Sequence, residues 1–563
     1  MLTRLRNGQI YDPAQNLEGS IGDLWFEGGT ILDGSHIDRE ADYEYDLRGH
    51  LVMAGGIDPH THIGGGKVNL ARMLLPEMMR GALREGAARH GRRQALLEPR
   101  RDSFLPPAPQ VGRRYLEMGY TACFEPAMIP TGARMTHAEL ADTPGLDTGA
   151  YVILGNDDIL LRMIQDQVPQ AWINTYVGWL VSATRALGVK VVNAGGISAF
   201  KYNARHLDVD HPHPCYGVTP ADVLRVLTRA VDELGIPQPL HVHASNLGMA
   251  GNVESTLKTI AAADGHRIHL THVQFHSYGS DGPQRFSSGA ERIARAVLAS
   301  PQVTVDVGQI MFGQTVTLSA DSMHQFHSSR FAKPRKSVIL DIECEAGCGV
   351  VPFRYENRRF VNALQWGIGL ELFLMIDDPS RVFLTTDHPN GGPFTSYPHL
   401  IRLLMDRSFR ETALAEIDAD AAAATSLRGL ARQYTLGEVA MMTRLGPARF
   451  LGLDRLGHLC PGGVADIAVY RQSANWEETF AKPAYVFRRG RLVVRDGQWI
   501  DGGDKVSHSL SVPYDASLLE KVRRQYEAYG AVPWRTIAIG EEEMAASIGA
   551  PLEQHRCTER EDV

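Results

Sequence analysis

Two histidines one residue apart, His60 and His62, follow the apolar run Leu51-Val52-Met53-Ala54 and a Gly55-Gly56-Ile57-Asp58-Pro59 stretch. On a strand, residues i and i+2 face the same side. Both imidazoles can therefore reach one point at a strand's end and supply half of a metal site. Gly64-Gly65-Gly66 follows and lets the backbone bend close to that point. The chain then offers partners in order: Lys201 after Val189-Lys190-Val191-Val192-Asn193, the pair His241 and His243 in Leu240-His241-Val242-His243, His272 in Ile268-His269-Leu270-Thr271-His272, and Asp387 after Val382-Phe383-Leu384. His241 and His243 share a face, so spacing alone does not choose between them. Each residue has a plainer reading in isolation: a core histidine, a surface lysine, a turn aspartate. Together, one per strand end, they form a set of nitrogen and oxygen donors that fits a metal site, where a bound water can be activated to attack a carbonyl.

Such a set needs strands that deliver their ends to one place. Strand-like runs recur at Tyr120–Pro126, Tyr151–Asn156, Val189–Asn193, Leu240–His243, Ile268–Val273, Val303–Val307 and Val382–Pro389, after the first at 51–63. Helical stretches separate them. The clearest opens with Thr219 as cap, Pro220 at the first helical position and Asp222 three residues after the cap, carries Val223, Leu224, Leu227, Ala230, Val231 and Leu234 as its stripe, and stops at Gly235. About eight strands alternating with helices predict an α/β fold, a (β/α)8 TIM-like barrel whose chemistry sits at the C-terminal strand ends. Short β-runs with turn signals before residue 52 and again after Leu459 predict a small β-sandwich domain formed by both chain ends. The expected division is 1–52 and 455–510 for the two parts of that domain, 53–454 for the barrel, and 511–563 for a helical tail.

Composition excludes several classes. A net charge of −8 and a pI near 6.3 carry no nucleic-acid signal. Met1–Gly8 has no apolar signal core and no apolar run reaches the length of a membrane span, so a cytoplasmic protein is expected. Six scattered cysteines fit a reducing compartment, and Cys344 with Cys348 lacks a second ligand pair. Gly64-Gly65-Gly66-Lys67 is followed by Val68 and lacks the Ser or Thr of a phosphate loop. His206, His211 and His213 read as a polar loop, with a third metal site as the alternative. Arg80, Arg84, Arg89, Arg92, Arg93, Arg100 and Arg101 read as a solvated helical face, or as a cationic rim for an acidic substrate tail or acidic partner.

The runs Gly56–His62, Lys67-Val68-Asn69, Val191–Gly196, His243–Gly248, Thr271–Phe275 and Thr386–Phe394 resemble the formylmethanofuran dehydrogenase A-subunit family of the amidohydrolase superfamily, which includes the A subunits of bacterial formyltransferase/hydrolase complexes. The resemblance covers nearly the whole chain. It implies two zinc ions bridged by N6-carboxylysine at Lys201, with His60, His62 and Asp387 on one ion and His243 and His272 on the other. It selects His243 over His241. It makes Asp387 the general base and Asn69 and Asn246 substrate-binding candidates, although Ala244-Ser245 departs from the usual residues after the family's histidine. The implied substrate is N-formylmethanofuran or a bacterial analogue, with or without a polyglutamate tail, and the implied partners are the B-, C- and D-type subunits. The alternatives are a cyclic-amide hydrolase of the dihydroorotase or hydantoinase type, a component of a molybdenum or tungsten dehydrogenase, and a scaffold protein without activity.

Overall fold

The computed structural model describes residues 1–79, 103–342, 346–530, 532–549 and 551–557. The arginines from Arg80 to Arg101, and Cys344, lie outside the described residues. Eight parallel strands form the barrel: β1 (Gly56–Asp58), β2 (Tyr120–Met128), β3 (Asp147–Leu154), β4 (Gly188–Val192), β5 (Leu240–His243), β6 (Ile268–Leu270), β7 (Val303–Asp306) and β8 (Val382–Phe383). Each pairs in parallel with the next. β2 and β3 are buried along their whole length, as expected of strands covered on both faces by helices. The ring closes just beyond the strand ends, where Thr61 bridges His388 and the His62 amide donates to the His388 carbonyl at 2.8 Å. Closure and chemistry thus share one spot.

The helix expected after Thr219 runs from Pro220 to Glu233 with a full capping box, and Val223, Leu224, Leu227, Ala230 and Val231 are buried. Both chain ends meet in a second, nine-stranded mixed sheet, where Ile467–Arg471 pairs antiparallel with His50–Ala54. Leu5, Phe26, Val52, Ile467, Val469 and Phe487 form its core.

Two features go beyond what the sequence pattern predicts. Between β7 and β8 a three-stranded antiparallel sheet, Gly313–Ser319, Val338–Ile342 and Ala346–Tyr355, carries the helix Ser322–Ser328. The tail is helical only in part. Ala516–Tyr529 is a helix, but Ser507–Ser511 and Leu552–Arg556 are parallel strands that branch from β3. Ser507-His508-Ser509 has too few apolar residues to advertise a strand, and backbone pairing with β3 makes one. No helix among the described residues is long and apolar enough to cross a membrane.

Candidate metal centre

The structure brings five of the six expected ligands together. His60 Nε2 lies 3.0 Å, and His62 Nε2 3.2 Å, from Asp387 Oδ1. The ring of His272 stands 4.7 Å from that of His243 and 5.4 Å from that of His60, all centroid to centroid. All five side chains are buried. His272 (φ +35°) and Asp387 (φ +48°) have left-handed backbones, so each strand turns sharply at its end. Gly308 (φ +64°) passes between them: a Cβ there would fall 2.3 Å from His272 Cβ. Only glycine lets β7 run this close to both ligands.

Lys201 is the exception. It ends the six-residue helix Gly196–Lys201, half-buried, and does not line the cavity. The strand stops at Val192, and the left-handed Asn193 and Gly195 turn the chain into that helix, which carries Lys201 past the site. Lys190, on β4 itself, faces the cavity beside Val192. Burial lowers its ammonium to about 8 against the pull of Asp387. A lysine inside the apolar run Val189–Val192 was the available signal, since burying one costs several kcal/mol unless it has a task.

The substrate candidates are also committed elsewhere. The Asn69 amide donates to Glu139 and its oxygen accepts from Arg72. Asn246 donates to Asp208 at 3.1 Å and Ser255 at 2.8 Å. Neither lines the cavity. Lys67 does: it is buried, with its ammonium nitrogen lacking a hydrogen-bond partner among the described residues.

Buried acids that carry no motif hold the imidazoles. Asp306 Oδ2 lies 2.9 Å from His60 Nδ1 and 3.1 Å from His269 Nε2, and its Oδ1 accepts from the His272 amide and the Thr385 hydroxyl. Glu125 lies 2.9 Å from His62 Nδ1 and accepts from the amides of Ile63 and Gly64. A carboxylate on one ring nitrogen fixes the tautomer and aims the other nitrogen outward. Burial pulls His60 down, but Asp306 and Asp387 outweigh it and leave its basicity raised. Burial holds His243 and His272 below the ordinary histidine value, in the neutral form that ligates metals. Asp387 would be raised by burial, but His272 and His60 keep it well below the usual carboxylate range.

The donor set fits divalent metal. His60 Nε2 and Asp387 Oδ1 are buried and make no directed hydrogen bond despite their proximity. His60, His62 and Asp387 each offer a donor atom within 4.8 Å of the others', as do His243, His272 and His276. His62, His243, His272 and Asp387 of these donors line a cavity of about 970 Å³. The amidohydrolase family pattern matches residues 44–500. The chain belongs to the amidohydrolase family.

This amidohydrolase is 41% identical over 541 residues, 94% of its length and 95% of the relative's, to the A subunit of the formyltransferase/hydrolase complex Fhc of Methylorubrum extorquens. It is 34% identical over 561 residues to protein FwdA of Methanocaldococcus jannaschii, covering 96% of both chains. It superposes with TM-score 0.92 and 40% identity on a chain of the crystal structure of the formyltransferase/hydrolase complex FhcABCD from M. extorquens in complex with methylofuran, covering 99% of this chain and all of that one.

Proposed function

We propose that this amidohydrolase is the A subunit of a formyltransferase/hydrolase complex with B-, C- and D-type partners, and that it hydrolyses the formamide of a formylmethanofuran-type substrate to formate and the free amine. The observation that carries this reading is the convergence of His62, His243, His272, Asp387 and Lys190 on one cavity, with His60 Nε2 3.0 Å from Asp387 Oδ1 behind it, in a chain 41% identical to the Fhc A subunit.

His60, His62 and Asp387 would hold one zinc ion, and His243 and His272 the other. Lys190, rather than Lys201, would lie between them as a carbamate. Two such ions supply a water of lowered pKa and a polarised formyl carbonyl. Asp387, which stays ionised, takes the proton of the attacking water on its carboxylate and passes it to the departing amine nitrogen. Asp306 and Glu125 keep His60 and His62 aligned while the carboxylate moves. Lys67 adds positive charge at the wall, where a formate product forms.

The cavity mouth selects the far end of the substrate. Arg330, Lys333, Arg335, Arg354, Arg358 and Arg359 line it, and Arg335, Arg354 and Arg358 make no ion pair with any described residue. This is a field for an acidic tail such as polyglutamate. The double variant Arg354→Glu/Arg358→Glu should raise KM about tenfold with kcat unchanged, an effect that shrinks as ionic strength rises. An unaltered KM at low salt would remove the mouth from substrate binding.

The decisive assay presents the purified complex with a formylmethanofuran-type amide, dihydroorotate and hydantoin. Formate release from the first alone is expected. Turnover of only the cyclic amides would replace this reading with the cyclic-amide one.

A further inference from the structure

The inserted helix between β7 and β8 begins with a buried carboxylate that touches the centre. Asp321 is 1% exposed, and its Oδ2 lies 3.2 Å from His243 Nε2. Its Oδ1 accepts from the His324 amide at 3.0 Å, capping the helix Ser322–Ser328, and from the Asn193 side chain at 3.2 Å. Three parts of the fold meet on one side chain: the end of β4 through Asn193, the end of β5 through His243, and the insertion through its own cap. Among the expected ligands, His60 and His62 have Asp306 and Glu125 behind them, and Asp321 stands in the same relation to His243.

We infer that Asp321 is a positioning residue for His243: it accepts a hydrogen bond from Nε2–H, leaves the lone pair on Nδ1, and locks the wall of the cavity to that ligand. Its two oxygens have different tasks. Oδ1 is held by two N–H donors, so the carboxylate cannot turn without losing the helix cap and Asn193. Oδ2 is therefore always the atom presented to His243. With Nε2 protonated, Nδ1 is the nitrogen able to ligate. The same helix contributes His324, Gln325 and Ser328 to the cavity lining, and the chain continues directly into Arg330 and Lys333 at the mouth. Whatever shifts the mouth pulls on the carboxylate that orients a ligand.

This inference rests on the reading of the centre as a two-metal site, and its test separates the two. Asp321→Asn is the informative change. Asparagine caps helices as well as aspartate, so the helix should survive. The two donors keep the carbonyl at the Oδ1 position, which places the NH2 group against His243. An NH2 cannot accept from Nε2–H, so the imidazole must move its proton to Nδ1, and the ligating lone pair is lost. Zinc affinities of the metal-free complex, reconstituted and titrated against a chelator, should show one of two sites weakened 10–100-fold and the other unchanged. The visible spectrum of the cobalt-substituted protein should change at one site only, and Asp321→Glu should restore part of the affinity. Circular dichroism of Asp321→Asn should match the wild type. If the variant binds two zinc ions as tightly as the wild type, with an unaltered cobalt spectrum, Asp321 only caps a helix. If the wild type itself binds no zinc, the two-metal reading fails instead.

Discussion

Lys190→Ala should lower hydrolysis of the proposed formamide substrate by about 10³-fold, at the upper end of the range for removing one preorganised group, and Lys201→Ala should leave the rate within about twofold. Lys190 sits on β4 in register with His241 on β5, two residues before Val192, which pairs with His243. Residues 190 and 192 therefore share a face, and both line the cavity. In the proposed two-metal centre, a bridging group would have to come from a strand end that faces both halves of the donor set. Lys201, on the following helix, faces neither. The shifted amine also matters. Only a neutral amine reacts with carbon dioxide, and burial brings Lys190 to about 8, so a useful fraction is neutral near pH 7. Zinc per chain should fall in Lys190→Ala and stay at the wild-type value in Lys201→Ala. Reconstitution without bicarbonate should reproduce the alanine phenotype in the wild type. Intact activity in Lys190→Ala, or its loss in Lys201→Ala, would return the bridge to Lys201.

These two lysines mark where a sequence speaks for its fold and where it does not. The barrel is legible because each strand is a short apolar run and each helix carries a periodic stripe and caps, and both are local signals. His60, His62, His272 and Asp387 are legible because they stand beside the strand ends that the pattern already marks. The motif around Lys201 points past the site because the turn after β4 is set by Asn193 and Gly195, not by periodicity. Asp306, Glu125 and Asp321 act through contacts with residues 63 to 246 positions away in sequence. An acid in Val303–Val307 or Tyr120–Pro126 announces only that it is buried, not which imidazole it holds. Asn69 and Asn246 show the converse: residues inside a recognisable motif can be occupied by a neighbouring carboxylate or hydroxyl rather than by substrate.

The largest effect on stability is expected away from the chemistry, at Arg488. This fully buried guanidinium ion-pairs with Asp147 of β3 and with Asp466 beside the second sheet, and its Nε donates to the Gly145 carbonyl at 2.7 Å. Arg489 follows, donating to Asp147 at 3.0 Å and to Glu553 at 3.4 Å, and the Val506 amide donates to Asp147 at 2.8 Å. Barrel, second sheet and C-terminal strands are thus joined by one cluster of charges. Replacing the whole cluster by apolar groups could be neutral, but removing one partner strands the others, at a cost of about 3–5 kcal/mol. Arg488→Ala should lose that much unfolding free energy at pH 7, read from the denaturant midpoint. The pH dependence has a definite sign. Burial alone would raise Asp147, yet Arg488, then His508 and Arg489, hold it well below its ordinary 3.8. In the wild type its contribution is present above that ordinary value and is lost only as the pH falls below it. Without Arg488, burial governs and the carboxyl accepts a proton more readily, which relieves the stranded charge. The gap between variant and wild type should therefore narrow on acidification from neutral pH, and a gap that stays constant down to the ordinary aspartate value would show that Asp147 does not carry the cost. Such a variant should keep its zinc content while folded, since none of the cavity-lining residues belongs to this cluster, so metal analysis distinguishes it from Lys190→Ala and Asp321→Asn.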